Sequence, residues 1–166
     1  MDIALIELIL FFMFISLSAF LTASEIAISS FGEVKIEELK EKKEKLFLIF
    51  NSVNKNPEDL FGTIKLFNVV IIIGSSMLGF HFLYLKMYPL LTDSSEFILY
   101  TYSLALSYLI ATIVVSIVVL IFTLLIPKAI GSKYSDRLGK FSIKLLFPLS
   151  QIFKYPVRFF STASNI

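Results

Sequence analysis

The sequence predicts an all-α membrane protein: three transmembrane helices with amphipathic helices along their cytoplasmic side, assembled as a homodimer. Three observations carry that prediction. The 166-residue chain is 57% hydrophobic, with a mean hydropathy of +0.84, more apolar surface than a soluble domain can hide. Its charged residues make up only 17% and are unevenly placed. Three apolar runs reach the roughly 20 residues that a helix needs to cross a ~30 Å hydrocarbon core.

The spans are expected near residues 3–31, 60–85 and 97–126. No basic residue precedes the first of them, Lys35 being the first lysine. It therefore reads as a retained anchor rather than a cleaved signal peptide. Lys35, Lys40, Lys42, Lys43, Lys45 and Lys55 lie between spans one and two. Lys128, Lys133, Arg137, Lys140, Lys144, Lys154 and Arg158 follow span three, whereas the second loop has only Lys86 at its edge. The positive-inside bias then puts the N-terminus outside and the C-terminus in the cytoplasm of a multi-pass cell-membrane protein. Lys65, one turn into span two, is expected to snorkel to the cytoplasmic face.

A first juxtamembrane helix is expected over about 33–50, supported by Glu38/Lys42 and Glu41/Lys45 at four-residue spacing. Asn56 can cap the next helix, with Pro57 at its first position and Glu58 and Asp59 favouring its dipole. Residues 92–96 form a short outside loop. A second juxtamembrane helix is expected over about 128–160. There Lys133, Arg137, Lys140, Lys144, Gln151, Lys154 and Arg158 share one face, and Phe, Leu, Ile and Val fill the intervening positions. Such a segment either lies in the cytoplasmic headgroup layer or packs beneath the spans as a collar at a dimer interface. Pro148 and Pro156 are expected to break it into short pieces.

Composition also excludes chemistry. The chain has no cysteine and a single histidine, His81, which removes thiolate sites and argues against zinc. No basic cluster interleaved with aromatics suggests nucleic acid, and no nucleophile–base pair or phosphate-cradling glycine loop suggests an enzyme. The polar residues inside the spans say more. Ser18, Thr22, Glu25 and Ser29 fall within about 60° of one another on a helix. A carboxylate within a span is costly, so Glu25 reads as part of an ion pathway or as a structural anchor bonded near the cytoplasmic end. Asn68, Ser75 and Gly79 share a face of span two, where Gly74, Ser75, Ser76 and Gly79 permit close approach of another backbone. Thr112, Ser116 and Thr123 share a face of span three. Pro127 removes a backbone donor and leaves a carbonyl near Thr123 unpaired. This is an all-oxygen set, suited to hard cations such as Mg²⁺ or Na⁺. Three spans are few to enclose a pathway, so a symmetric dimer is the economical assembly.

The segment from Ser18 to Ala27, SAFLTASEIA, resembles the first-span signature of the CorC/CNNM family, SAFFSGSETAL. Asn56-Pro57-Glu58 and the run from Thr63 to Asn68 resemble its second-span entry, and Ile126-Pro127-Lys128 the end of its third-span motif GEIIPK. The motifs occur in order and cover essentially the whole chain. The resemblance implies a dimerising three-span domain of a divalent-cation transporter, moving Mg²⁺ outward against Na⁺ entry. It also implies metal oxygens from Ser18, Thr22, Ser24 and Asn68, beside which the residues themselves suggest an ion-coupling or structural role for Glu25 with Ser29 and a backbone break at Pro127 and Lys128. The ATP-binding CBS pair usual in the family is not among these residues, so no nucleotide site is expected in this chain. Two positions depart from the pattern: Val69 replaces a second asparagine, and Leu124 replaces the third-span acid. They motivate an alternative, a non-transporting membrane scaffold or regulatory partner with a degenerate ion site.

Overall fold

Every element among the described residues is helical. The computed structural model describes residues 3–42, 44–91 and 97–164, with α1 at Ile3–Ser29, α2 at Glu33–Glu41, α3 at Lys45–Lys55 and α4 at Pro57–Leu91. Then follow α5 at Phe97–Val119, a π-helical stretch at Leu120–Leu125, α6 at Ile126–Lys133 and α7 at Ser135–Ser164. The predicted outside loop at 92–96, Lys43 and the Arg158 side chain lie outside the described residues.

Three stretches are long and apolar enough to cross a membrane: Ala4–Ser29, Pro57–Pro89 and Tyr102–Lys133. The first carries no proline or glycine, so nothing interrupts its backbone bonding until Gly32. The second begins at Pro57 with Glu58 and Asp59 in its first turn, where the missing N–H is harmless and the acids meet the helix dipole. It is longer than the expected 60–85, running through Pro89 for 35 residues, or about 52 Å. The third also outruns its expected end at 126. Its α-helical bonding widens into the π stretch just before Pro127 and then resumes as α6. A π-turn accommodates a residue that cannot donate to the ladder without ending the helix.

The single charged helix expected over 33–50 is two. The Glu38–Lys42 pair is present at 4.0 Å, but α2 ends at Glu41, so Lys45 opens a new helix instead of pairing along the old one. α3 buries Leu46, Phe50 and Val53, and Phe50 stacks on Phe31 at 4.4 Å. Nor do the prolines divide the C-terminal segment, because α7 continues through both Pro148 and Pro156. Each proline removes one hydrogen bond and both are exposed, while the opposite face stays packed through Ile143, Leu146, Ser150 and Val157. The apolar residues of α7 therefore divide: Phe141, Leu145, Ile152 and Tyr155 stay exposed, on the side that carries Arg137, Lys144 and Gln151.

The chain forms two compact units. One comprises Met1–Ser18 and Ile71–Leu125. Its core is Phe11, Ile15, Val115 and Val119, backed by Ile72, Leu78, Leu83 and Val118. Gly74 and Gly79 open α4 to the rings of Phe14 and Phe11, which would lie 3.2 and 2.6 Å from an added Cβ. The small-residue stripe thus receives aromatic side chains rather than another backbone. Phe80, Tyr84 and Tyr108 stack nearly parallel, with centroids 4.9–6.3 Å apart.

The other unit comprises Ala19–Val70 and Ile126–Ile166. Here helices approach at backbone distance. A Cβ on Gly131 would lie 2.5 Å from the Ala23 carbonyl oxygen, and one on Gly139 3.0 Å from that of Ala27. Ala23 and Ala27 are themselves small and buried, so α1 presents a nearly bare backbone to these glycines, the usual way membrane helices gain dispersion contact. Lys35 and Asp136 form an exposed ion pair, and Phe67 meets Phe153 edge-on at 4.8 Å.

Candidate functional site

The polar residues of α1 point in three directions. Thr22 faces α4, where Asn68 Nδ2 donates to Thr22 Oγ1 at 3.0 Å, with both side chains buried. One turn along α1 and one turn back along α4, Glu25 and Lys65 approach to 3.8 Å. The two contacts step in opposite chain directions, as antiparallel helices require, and place a hydroxyl, a carboxamide, a carboxylate and an ammonium along one seam. Lys65 is largely exposed and Glu25 half-buried, so the pair contributes under about 1 kcal/mol. Lys65 reaches the Glu25 carboxylate while keeping most of its side chain exposed.

Ser24 faces the other way. Its hydroxyl meets that of Ser142 on α7 at 2.8 Å, buried on both sides. Ser24→Ala and Ser142→Ala should each cost about 1 kcal/mol, and the double variant little more than either single one. Thermal unfolding of the three variants in detergent checks this, and additive losses would deny the pairing. Ser29 is exposed and donates to the Ile26 carbonyl of its own helix at 3.1 Å. Ser18, one turn before Thr22 on α1, is fully buried.

On the third stretch, Thr123 is buried and donates to the Val119 carbonyl at 2.8 Å. Thr112 and Ser116, expected on the same face, are exposed. The buried line of this stretch runs instead through Ala111, Val115, Val119 and Thr123. Pro127 is fully buried, while Lys128 is exposed and Leu124 half-buried. Val69, next to Asn68, is 55% exposed and directed away from Thr22.

The family model for the cyclin M (CNNM) transmembrane N-terminal domain matches residues 8–166. This chain belongs to the CNNM family. The resemblance read from its ordered motifs is thereby borne out, as is a membrane protein with several helical spans. No curated protein sequence matches the chain. Within this CNNM domain the structure brings Thr22 together with Asn68 and sets Glu25 on the same seam. It turns Ser24 toward α7 and leaves Ser29 on its own helix.

Sequence reasoning passed over one polar contact of this CNNM domain. Glu7, near the start of α1, lies 3.0 Å from His81 Nδ1 on α4. The signal was available, because Glu7 is a carboxylate within the same apolar run that made Glu25 conspicuous.

Proposed function

We propose that this CNNM domain carries Mg²⁺ across the cell membrane as a homodimer, with Na⁺ entry driving Mg²⁺ efflux. The N-terminus lies outside and the C-terminus in the cytoplasm. The observation that carries the reading is the buried Thr22–Asn68 contact with Glu25 one turn along. An ionisable side chain within a span, here Glu25, marks an ion pathway by default. A hydroxyl, a carboxamide oxygen and a nearby carboxylate are hard ligands that suit Mg²⁺ retaining part of its water shell. Thr22, Asn68 and Ser18 supply neutral oxygens; Glu25 supplies charge or Na⁺ coupling, with Lys65 as its counter-charge when the ion is absent. Ser24 and Ser29 stand outside this set and act through packing. Exposed Val69, Ile73 and Met77 on α4 and Ile113 and Ile117 on α5 form apolar faces for lipid and for the second copy. The reading includes neither a nucleotide nor a nucleic acid.

A second reading, a non-transporting scaffold, is favoured by Leu124 and Val69. Both family ligands are apolar here, and the acid nearest the Thr22–Asn68 contact already has an ammonium beside it. One titration separates the readings. Mg²⁺ added to the detergent-solubilised protein should raise its melting temperature, with Na⁺ and Ca²⁺ as comparisons. At a hundred times the dissociation constant the gain is about 2.7 kcal/mol. A selective Mg²⁺ shift that is lost in Asn68→Ala supports transport. No shift with any ion supports the scaffold.

A further inference from the structure

We propose that Glu7 and His81 form a proton-binding site within the helical spans, in which Glu7 fixes the imidazole tautomer and the proton binds at Nε2. Glu7 Oε1 lies 3.0 Å from His81 Nδ1. The Glu7 side chain is only 14% exposed, and its second oxygen, Oε2, is buried without a hydrogen-bond partner among the described residues. A buried carboxylate oxygen lacking a donor is costly. The contact with His81 is therefore the one that this carboxylate can least forgo.

That need decides the tautomer. An ionised carboxylate has no hydrogen to give, so Nδ1 must carry the N–H and donate it to Oε1. In the neutral imidazole the lone pair then sits on Nε2, at the far edge of a ring whose side chain is 55% exposed. Proton uptake there adds one hydrogen to Nε2 and breaks no bond. It converts a pair of net charge −1 into a neutral carboxylate–imidazolium pair.

The ligand chemistry points to a proton rather than a metal. Two side chains meet here, and among the described residues no group of three or more His, Cys, Asp or Glu could hold a metal ion. Mg²⁺ or Ca²⁺ takes six or more ligands and prefers oxygen, so an imidazole with one carboxylate is a poor site for either. Position matters too. Glu7 lies three residues inside the Ala4–Ser29 stretch, about 5 Å along the helix, within reach of protons from the adjoining water. The other titratable side chains described on the helices of this unit are Tyr84, Lys86 and Tyr88 on α4 and Tyr102 and Tyr108 on α5. Among these types, only histidine ordinarily changes charge between pH 5 and 8.

The single histidine makes the test direct. Protein labelled with ¹⁵N-histidine and purified without a histidine tag gives one imidazole by NMR in detergent micelles. In the wild type at alkaline pH, Nδ1 is expected to carry the proton and Nε2 to be bare. Glu7→Leu should switch the tautomer, moving the neutral ring's proton from Nδ1 to Nε2. A wild-type ring with Nε2 protonated and Nδ1 bare at alkaline pH would overturn the proposal, and this reading needs no variant. So would an unchanged tautomer in folded Glu7→Leu.

Discussion

Asn68→Leu is expected to abolish Mg²⁺ flux in proteoliposomes while the protein stays folded. Leucine fills nearly the same space, so no cavity opens beside α1. The hydrogen bond to Thr22 Oγ1 disappears, but a threonine hydroxyl in a membrane helix can turn to the carbonyl four residues earlier. The stability cost is accordingly only about 1 kcal/mol. The ion loses more. On the proposed reading a carboxamide oxygen is replaced by methyl groups in a buried position, and a loss of about 10- to 100-fold in metal affinity is expected. Val69→Leu is the control, because Val69 is exposed and directed away from the contact; its flux should match the wild type. If Asn68→Leu transports Mg²⁺ at the wild-type rate, the ion does not pass between α1 and α4 at this level.

Gly131→Val should be more destabilising than substitution at Gly139 or Gly32. The Cβ it adds would sit 2.5 Å from the carbonyl oxygen of Ala23 and 3.0 Å from Ile26 Cβ. The first of these is backbone and cannot swing aside, so α6 or α1 must move as a whole. Overpacking of this kind costs about 3 kcal/mol. Gly139→Ala is expected to cost less, its nearest neighbour being the Ala27 carbonyl oxygen at 3.0 Å. Gly32→Ala should cost least, since nothing lies within 4 Å. Melting temperatures in one detergent give the order directly. A Gly131→Val protein that melts with the wild type would show that α6 does not rest on the α1 backbone.

The spans were legible in the sequence because lipid is a demanding solvent: only long apolar helical runs satisfy it. The start of α4 was equally legible, since Pro57 and the acids after it act through local bonding. Helix ends were not. Pro127, Pro148 and Pro156 each signal a stop locally, yet one lost hydrogen bond is small beside the packing of Gly131, Ile143, Leu146 and Val157, and the helices run on. The candidate site was half legible. Helical spacing placed Thr22 and Glu25 on one stripe but could not say what faces it. Asn68 lies 46 residues from Thr22, and the partner of Ser24 lies 118 residues away. Spacing also failed on the third stretch, where Thr112 and Ser116 are exposed while Thr123 is buried. Glu7 went unread because it belonged to no motif, although the argument applied to Glu25 covers it too.

The two prolines of α7 have an effect on the surface as well as on the backbone. Neither can donate to the carbonyl four residues before it, which leaves Lys144 and Ile152 without their helical donors. Both residues are exposed, on the side where Phe141, Leu145 and Tyr155 are also bare. Hydrocarbon cannot satisfy those two oxygens; water or the hydrogen-bond donors of lipid headgroups can. The outward side of α7 thus carries, among its aromatic rings, two carbonyl oxygens whose donors must come from outside the helix ladder.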